Sequence, residues 1–100
     1  MAPDTLSLEN KVAIVTGSAR ENGIGAAIAS ALARNGAAVT INYTSESSAP
    51  RAAAVAKKIK DAGGRATVIR ADVGSLENCQ RLVSETLKAF GADHVDILGI

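Results

Sequence analysis

Gly17, Gly23 and Gly25 are the residues whose type and spacing most directly prescribe chemistry in this chain. They lie in Thr16-Gly17-Ser18-Ala19-Arg20-Glu21-Asn22-Gly23-Ile24-Gly25, between two apolar runs. Val12-Ala13-Ile14-Val15 reads as a buried parallel strand, and Ala26-Ala27-Ile28-Ala29-Ser30-Ala31-Leu32-Ala33 as a helix. A glycine-rich strand-to-helix turn cradles phosphate for physical reasons. Gly17 permits the tight turn, Gly23 lets backbone approach a pyrophosphate, and Gly25 lets helix and strand pack closely. Unpaired amides of the first helical turn and the positive end of the helix dipole then face the anion. Ser18, Arg20 and Ile24 share the turn and are candidate cofactor contacts with the three glycines.

The choice of dinucleotide is read at the end of the second strand. A carboxylate about 20 residues beyond the glycine turn holds a ribose 2′-hydroxyl and marks NAD. Here the chain has Asn42-Tyr43-Thr44-Ser45, with no acid until Glu46. Neutral amide and hydroxyl donors tolerate a 2′-phosphate, and Arg20 is placed to pair with it. The expected cofactor is therefore NADP(H). Glu21 opposes that pairing, and a solvated loop cation is the plain alternative for Arg20.

Elements that could hold these residues follow in order. Residues 1–10 read as a flexible polar lead-in, with Leu6 and Leu8 able to touch the sheet edge, and residues 11–100 as one domain. Strand one spans Val12 to Thr16. Helix one runs from about Ile24 to Asn35, with Ile28 and Leu32 four apart on its packed face and Gly36 as its C-terminal cap. Ala37 to Tyr43 is strand two. Pro50 suits the first turn of a second helix with Val55 and Ile59 inward and Lys57, Lys58 and Lys60 outward. Ala66 to Arg70 is strand three. Ser75 is the expected N-cap of a third helix, Leu76 to Phe90, whose apolar face is Leu82, Val83, Leu87 and Phe90. Val95 to Leu98 is strand four. Strands alternating with helices imply βαβ units, a parallel sheet and right-handed crossovers.

Composition narrows the function classes. Of the 100 residues 47% are hydrophobic, but alanine supplies much of this and aromatics only 2%, so the core is built from Val, Ile and Leu. A net charge of +1 with both signs interspersed supports neither nucleic acid nor membrane as a partner. No apolar run approaches the roughly 18 residues of a transmembrane helix. The first ten residues lack the pattern of a signal peptide. Cys79 is the single cysteine, which excludes an internal disulfide and fits a reducing, cytosolic compartment.

Lys11-Val12-Ala13-Ile14-Val15-Thr16-Gly17, Gly23-Ile24-Gly25, Ala71-Asp72-Val73 and Val95-Asp96-Ile97-Leu98 together resemble the short-chain dehydrogenase/reductase family. The resemblance covers the chain from Leu8 onward. It is nearest to NADPH-dependent ketoreductases of fatty-acid and polyketide pathways, including the trihydroxynaphthalene reductases. The turn departs from the family's usual Thr-Gly-x-x-x-Gly-x-Gly by Glu21 and Asn22, which leaves the enoyl-reductase branch open. The fold implied is α/β, a Rossmann-like parallel sheet of strand order 3-2-1-4 with only the first half, βαβαβαβ, present. The resemblance also implies that Asp72 accepts from the adenine amino group while Val73 lies against the ring. A helix-leading aspartate that caps the turn at Leu76 is the alternative, and both can hold at once.

In the family, strand four continues into Asn-Asn-Ala-Gly, and a later Ser and Tyr-x-x-x-Lys transfer the proton. Here Leu98 is followed by Gly99 and Ile100, and Tyr43 has no lysine four residues on. No residue of the chain is assigned to catalysis. The first expectation is thus the NADP(H)-binding part of a reductase acting on a small-molecule carbonyl substrate by hydride transfer, homo-oligomeric in its complete form. A non-catalytic nucleotide-binding or partner-binding module is the alternative. His94, with Asp93 and Asp96, lacks the ligand cluster a zinc site needs and reads as a solvated loop histidine. Cys79 reads as a packing thiol, and Ser18 and Thr16 have no base partner.

Overall fold

A computed structural model describes residues 8–16, 24–72 and 74–99. Seven elements alternate: β1 (Val12–Val15), α1 (Ile24–Arg34), β2 (Ala38–Tyr43), α2 (Ala49–Asp61), β3 (Arg65–Arg70), α3 (Leu76–Phe90) and β4 (Ile97–Gly99). The strands form one parallel sheet in the order β3-β2-β1-β4. β1 is its keystone. All four of its residues are at most 5% exposed, because strands flank it and helices cover both faces. A strand buried on both sides reads as an unbroken apolar run rather than an alternating one.

The two faces are filled differently. Ala13, Val15, Val39, Ile41 and Ala66 meet α1 and α2 in one apolar cluster. Ile14, Ile69 and Ala71 meet Leu82 of α3 in a smaller cluster on the other face. Thr40 of β2 and Thr86 of α3, both fully buried, share a hydrogen bond of 2.9 Å that fixes α3 against the sheet.

Several expected details are corrected. The buried face of α1 is Ala26, Ala29 and Ala33, not Ile28 and Leu32; Ile28 is 42% exposed, and Leu32 only borders the core. Small side chains bring the helix axis close to β1, and larger ones turn outward. Val83 of α3 is likewise 38% exposed. Ser75 stands at the N-cap of α3 in extended conformation, but its hydroxyl makes no capping bond. Leu8, expected to touch the sheet edge, donates its N–H to Asn35 O at 2.7 Å and packs its side chain on the α1–α2 cluster. Residues 1–7, including Leu6, lie outside the described residues.

α1 ends in a Schellman motif, with Gly36 N–H on Ala33 O at 3.0 Å and Ala37 N–H on Leu32 O at 3.1 Å. Gly36 adopts φ +105°, and a Cβ there would stand 3.0 Å from Glu9 N and 3.1 Å from Glu9 Cα. Gly63 plays the same part after α2 at φ +92° with open space around it. Gly36→Ala should therefore combine backbone strain with a backbone clash. Strain of roughly 1–3 kcal/mol corresponds to a melting point lowered by at least about 4 °C in a domain of this size. Gly63→Ala should lower it less. Thermal denaturation of both variants checks this, and an equal or larger loss at Gly63 would contradict the role given to Glu9.

Candidate functional site

The chain leaves β1 through α1 to β2 and β3, then returns through α3 to β4 on the other side of β1. The connection leaving β1 thus runs to one side of it, towards β2, while β4 lies on its other side, so the strand order reverses at β1. In open α/β sheets such a reversal, at the carboxyl edge of the strands, is where ligands bind. Thr16, the ends of β2 and β3, and the first turn of α1 all reach this edge.

α1 begins at Ile24, with Gly25 half-buried beside it and no acidic residue in the first turn. A first turn without a carboxylate of its own leaves the positive dipole end of the helix suited to an anion. Gly17, Ser18, Arg20, Gly23 and Val73 lie outside the described residues.

At the end of β2 the four candidate residues separate. Tyr43 is half-buried and packs on the α1–α2 cluster. Thr44 and Ser45 are exposed, and Ser45 Oγ lies 3.0 Å from Ser47 Oγ and 3.1 Å from Ser48 Oγ. Asn42 is different. It is 1% exposed, and its amide donates to Ile69 O at 3.2 Å and Ala71 O at 3.1 Å. The amide expected to tolerate a phosphate is spent on β3, so Asn42 offers no donor to a ligand at the strand end. Alternation along the strand puts Asn42 with Thr40 on the face that α3 covers.

Asp72 is exposed just after β3, and its Oδ1 accepts the Gly74 N–H at 2.9 Å. This is an Asx turn ahead of α3 rather than a cap on the helix's first turn. The carboxylate is otherwise exposed to solvent at the end of β3. One cation escaped the sequence reasoning. Arg70 pairs in register with Tyr43, and its Nε donates to Thr44 O at 3.3 Å, so a guanidinium stands at the end of β2. Only parallel pairing of β2 with β3 brings the two together.

A hollow of about 600 Å³ lies elsewhere, along Cys79, Val83 and Leu87 on the outer side of α3. No group of His, Cys, Asp and Glu able to hold a metal occurs among the described residues, and none of the described helices is long and apolar enough to cross a membrane.

A Rossmann-like α/β half-sheet with a candidate dinucleotide edge defines the class. A family profile for short chain dehydrogenases matches residues 11–99, and the chain belongs to that family. It is 44% identical over 88 residues to a probable tetrahydroxynaphthalene reductase of Zymoseptoria tritici, covering 88% of this chain and 32% of the relative. Among solved structures it is similar to a dehydrogenase/reductase from Sinorhizobium meliloti (TM-score 0.81, 49% identity, 92% of this chain and 34% of that one). It is also similar to a short chain dehydrogenase from Burkholderia cenocepacia in complex with NADP (TM-score 0.80, 44% identity, 93% and 36%). The chain thus spans about a third of the length of the relatives it matches.

His94 sits at the opposite, amino-terminal edge of the sheet. Its Nδ1 lies 2.6 Å from Asp93 Oδ1 and its Nε2 2.9 Å from Asp96 Oδ1. Asp96 Oδ2 accepts the Val12 N–H at 2.9 Å, and Asp96 N–H donates to Val12 O at 2.9 Å, which locks the start of β4 to β1. The solvated histidine expected from sequence is exposed but bridges two carboxylates. The Asp93 hydrogen bond, then the charge of Asp96, raise the His94 pKa above its ordinary 6.5. The Val12 N–H foremost holds Asp96 below its ordinary 3.8. A raised histidine contributes stability fully below 6.5 and loses it as pH rises through its folded value; a lowered aspartate contributes above 3.8 and loses it as pH falls through its own. The clamp is therefore strongest between those two values. His94→Ala should lower the melting point at pH 5.5 and hardly at all at pH 9, as paired thermal melts will show. A pH-independent difference would mean that the bridge carries no charge.

Proposed function

We propose that the chain is the NADP(H)-binding part of a short-chain dehydrogenase/reductase that reduces a ketone on a small molecule. The observation that carries the reading is the end of β2. Thr44 and Ser45 stand exposed there with the Arg70 guanidinium beside them, and Glu46 is the first acid reached along the chain. An acid in that place would read a ribose hydroxyl and repel a 2′-phosphate. A neutral, cation-flanked end favours the phosphate.

The residues present fit the cofactor. The acid-free first turn of α1 would receive the pyrophosphate, with Gly17, Gly23 and Gly25 keeping the backbone close. Thr44, Ser45 and Arg20 would meet the 2′-phosphate. Asp72, its Oδ1 held by Gly74, would accept from the adenine amino group with its other oxygen, with Val73 beside the ring. When bound, the nicotinamide supplies the hydride, and this part of the protein binds and orients it. A second reading as a non-catalytic module has no observation in its favour. The similarity to a tetrahydroxynaphthalene reductase supports a carbonyl substrate of polyketide or fatty-acid type. A homo-oligomeric assembly and a cytosolic location belong to the same reading.

Calorimetric titration of NADPH and NADH against the chain tests it. NADPH should bind more tightly. Arg20→Ala should weaken NADPH about tenfold, one decade being 1.4 kcal/mol, and leave NADH nearly unchanged. Thr44→Asp should move the preference towards NADH. Equal losses for both cofactors in Arg20→Ala would show that Arg20 only shapes its loop, and tighter NADH binding by the unaltered chain would refute the 2′-phosphate reading.

A further inference from the structure

Asparagine is a poor strand residue, and Asn42 sits inside a parallel sheet at 1% exposure. Its Oδ1 is buried with no hydrogen-bond partner among the described residues. A buried, half-satisfied amide in a strand breaks a local rule, and such breaks collect at functional positions. What Asn42 gains for that cost is visible in its two donors. Its Nδ2 spans Ile69 O and Ala71 O, reaching one residue beyond the end of β3.

The second of these carbonyls belongs to the peptide that joins Ala71 to Asp72. Asn42 therefore holds the peptide plane from which Asp72 departs. On the preceding side, Ala71 N–H donates to Tyr43 O at 2.9 Å, and on the following side Asp72 Oδ1 accepts from Gly74 N–H at 2.9 Å. Two hydrogen bonds thus fix the Ala71 backbone that leads into Asp72, one of them from a side chain that no ligand can reach, and a third holds the exposed carboxylate itself. Alanine, valine or leucine at position 42 would fill a strand position and leave the Ala71 carbonyl free to turn.

We propose that Asn42 is a positioning residue for purine recognition, aiming the Asp72 carboxylate at a 6-amino group. The assignment rests on the reading of the chain as a binder of NADP(H). A carboxylate fixed to within a fraction of an ångström discriminates an amino donor from a carbonyl acceptor, whereas a wandering one does so weakly.

Adenosine 2′,5′-bisphosphate and inosine 2′,5′-bisphosphate differ only along one edge of the purine, a 6-amino group and an N1 acceptor against a 6-carbonyl and an N1–H. Calorimetric titration of the chain with both yields a ratio of affinities. The unaltered chain should prefer the adenosine compound, and Asn42→Ala should shrink that preference about tenfold (1.4 kcal/mol). Asn42→Ser, which keeps one donor, should fall between the two. In an Asp72→Ala background, Asn42→Ala should change the ratio no further, since residues acting through one contact are not additive. A folded Asn42→Ala or Asn42→Ser variant with the original ratio overturns the proposal. So does failure of both variants to fold by circular dichroism, because the amide would then be structural. Equal binding of the two compounds by the unaltered chain removes the Asp72 contact and the proposal with it. Binding of neither removes the NADP(H) reading itself.

Discussion

The fold depends on one strand being dry on both faces. Val12–Val15 has no residue more than 5% exposed, and that condition demands strands on both sides and helices above and below. Parallel neighbours supply the first, since β2 and β4 flank β1. α1 with α2, and α3 alone, supply the second. Coverage of both faces requires the chain to cross from one side of the sheet to the other, and the reversal of strand order follows. The strand-order reversal at β1 is thus a by-product of burying four aliphatic residues.

The two faces solve the packing problem by different means. Beneath α1 the contact is made of alanines, so helix and sheet approach closely and little volume needs filling. Beneath α3 the aliphatic cluster is small, and a buried pair of threonine hydroxyls stands where a further aliphatic contact could be. Each hydroxyl satisfies the other, so the polar atoms cost little while paired. The same logic, incompletely satisfied, operates at Asn42, where two donors are paired and one acceptor is not. Polar atoms in this sheet lie towards the α3 face and towards its carboxyl end, where candidate ligand contacts gather.

The opposite edge is held by charge. Asp96 accepts from Val12 N–H, donates to Val12 O and receives His94, so the short β4 is joined to β1 before its ladder begins at Ile97. β4 pairs through only three residues. A side-chain and backbone clamp at its start compensates for that brevity, at the edge opposite the ends of β2 and β3.

Periodicity and punctuation along the chain determined the order of elements, and the alternation of strand and helix pointed to the parallel sheet, because both are read from local pattern. An apolar run is buried, a glycine follows each helix, and a proline opens one. The extents of α3 and β2, and the inward Val55 and Ile59 of α2, were legible on these grounds. Distances across the sheet were not legible. Ile28 and Leu32 have the spacing of a packed face, yet Ala26, Ala29 and Ala33 are the buried ones. Asn42 and Thr44 are two apart and chemically alike as polar residues, yet one is sealed and the other exposed. Arg70 reaches Thr44 only because β3 pairs with β2 in the register Tyr43↔Arg70. Residue type and spacing settle which elements form. Which side chain faces the core, and which meets a residue 26 or 29 positions away, is decided by strand pairing and helix approach, and those exist only once the chain has folded.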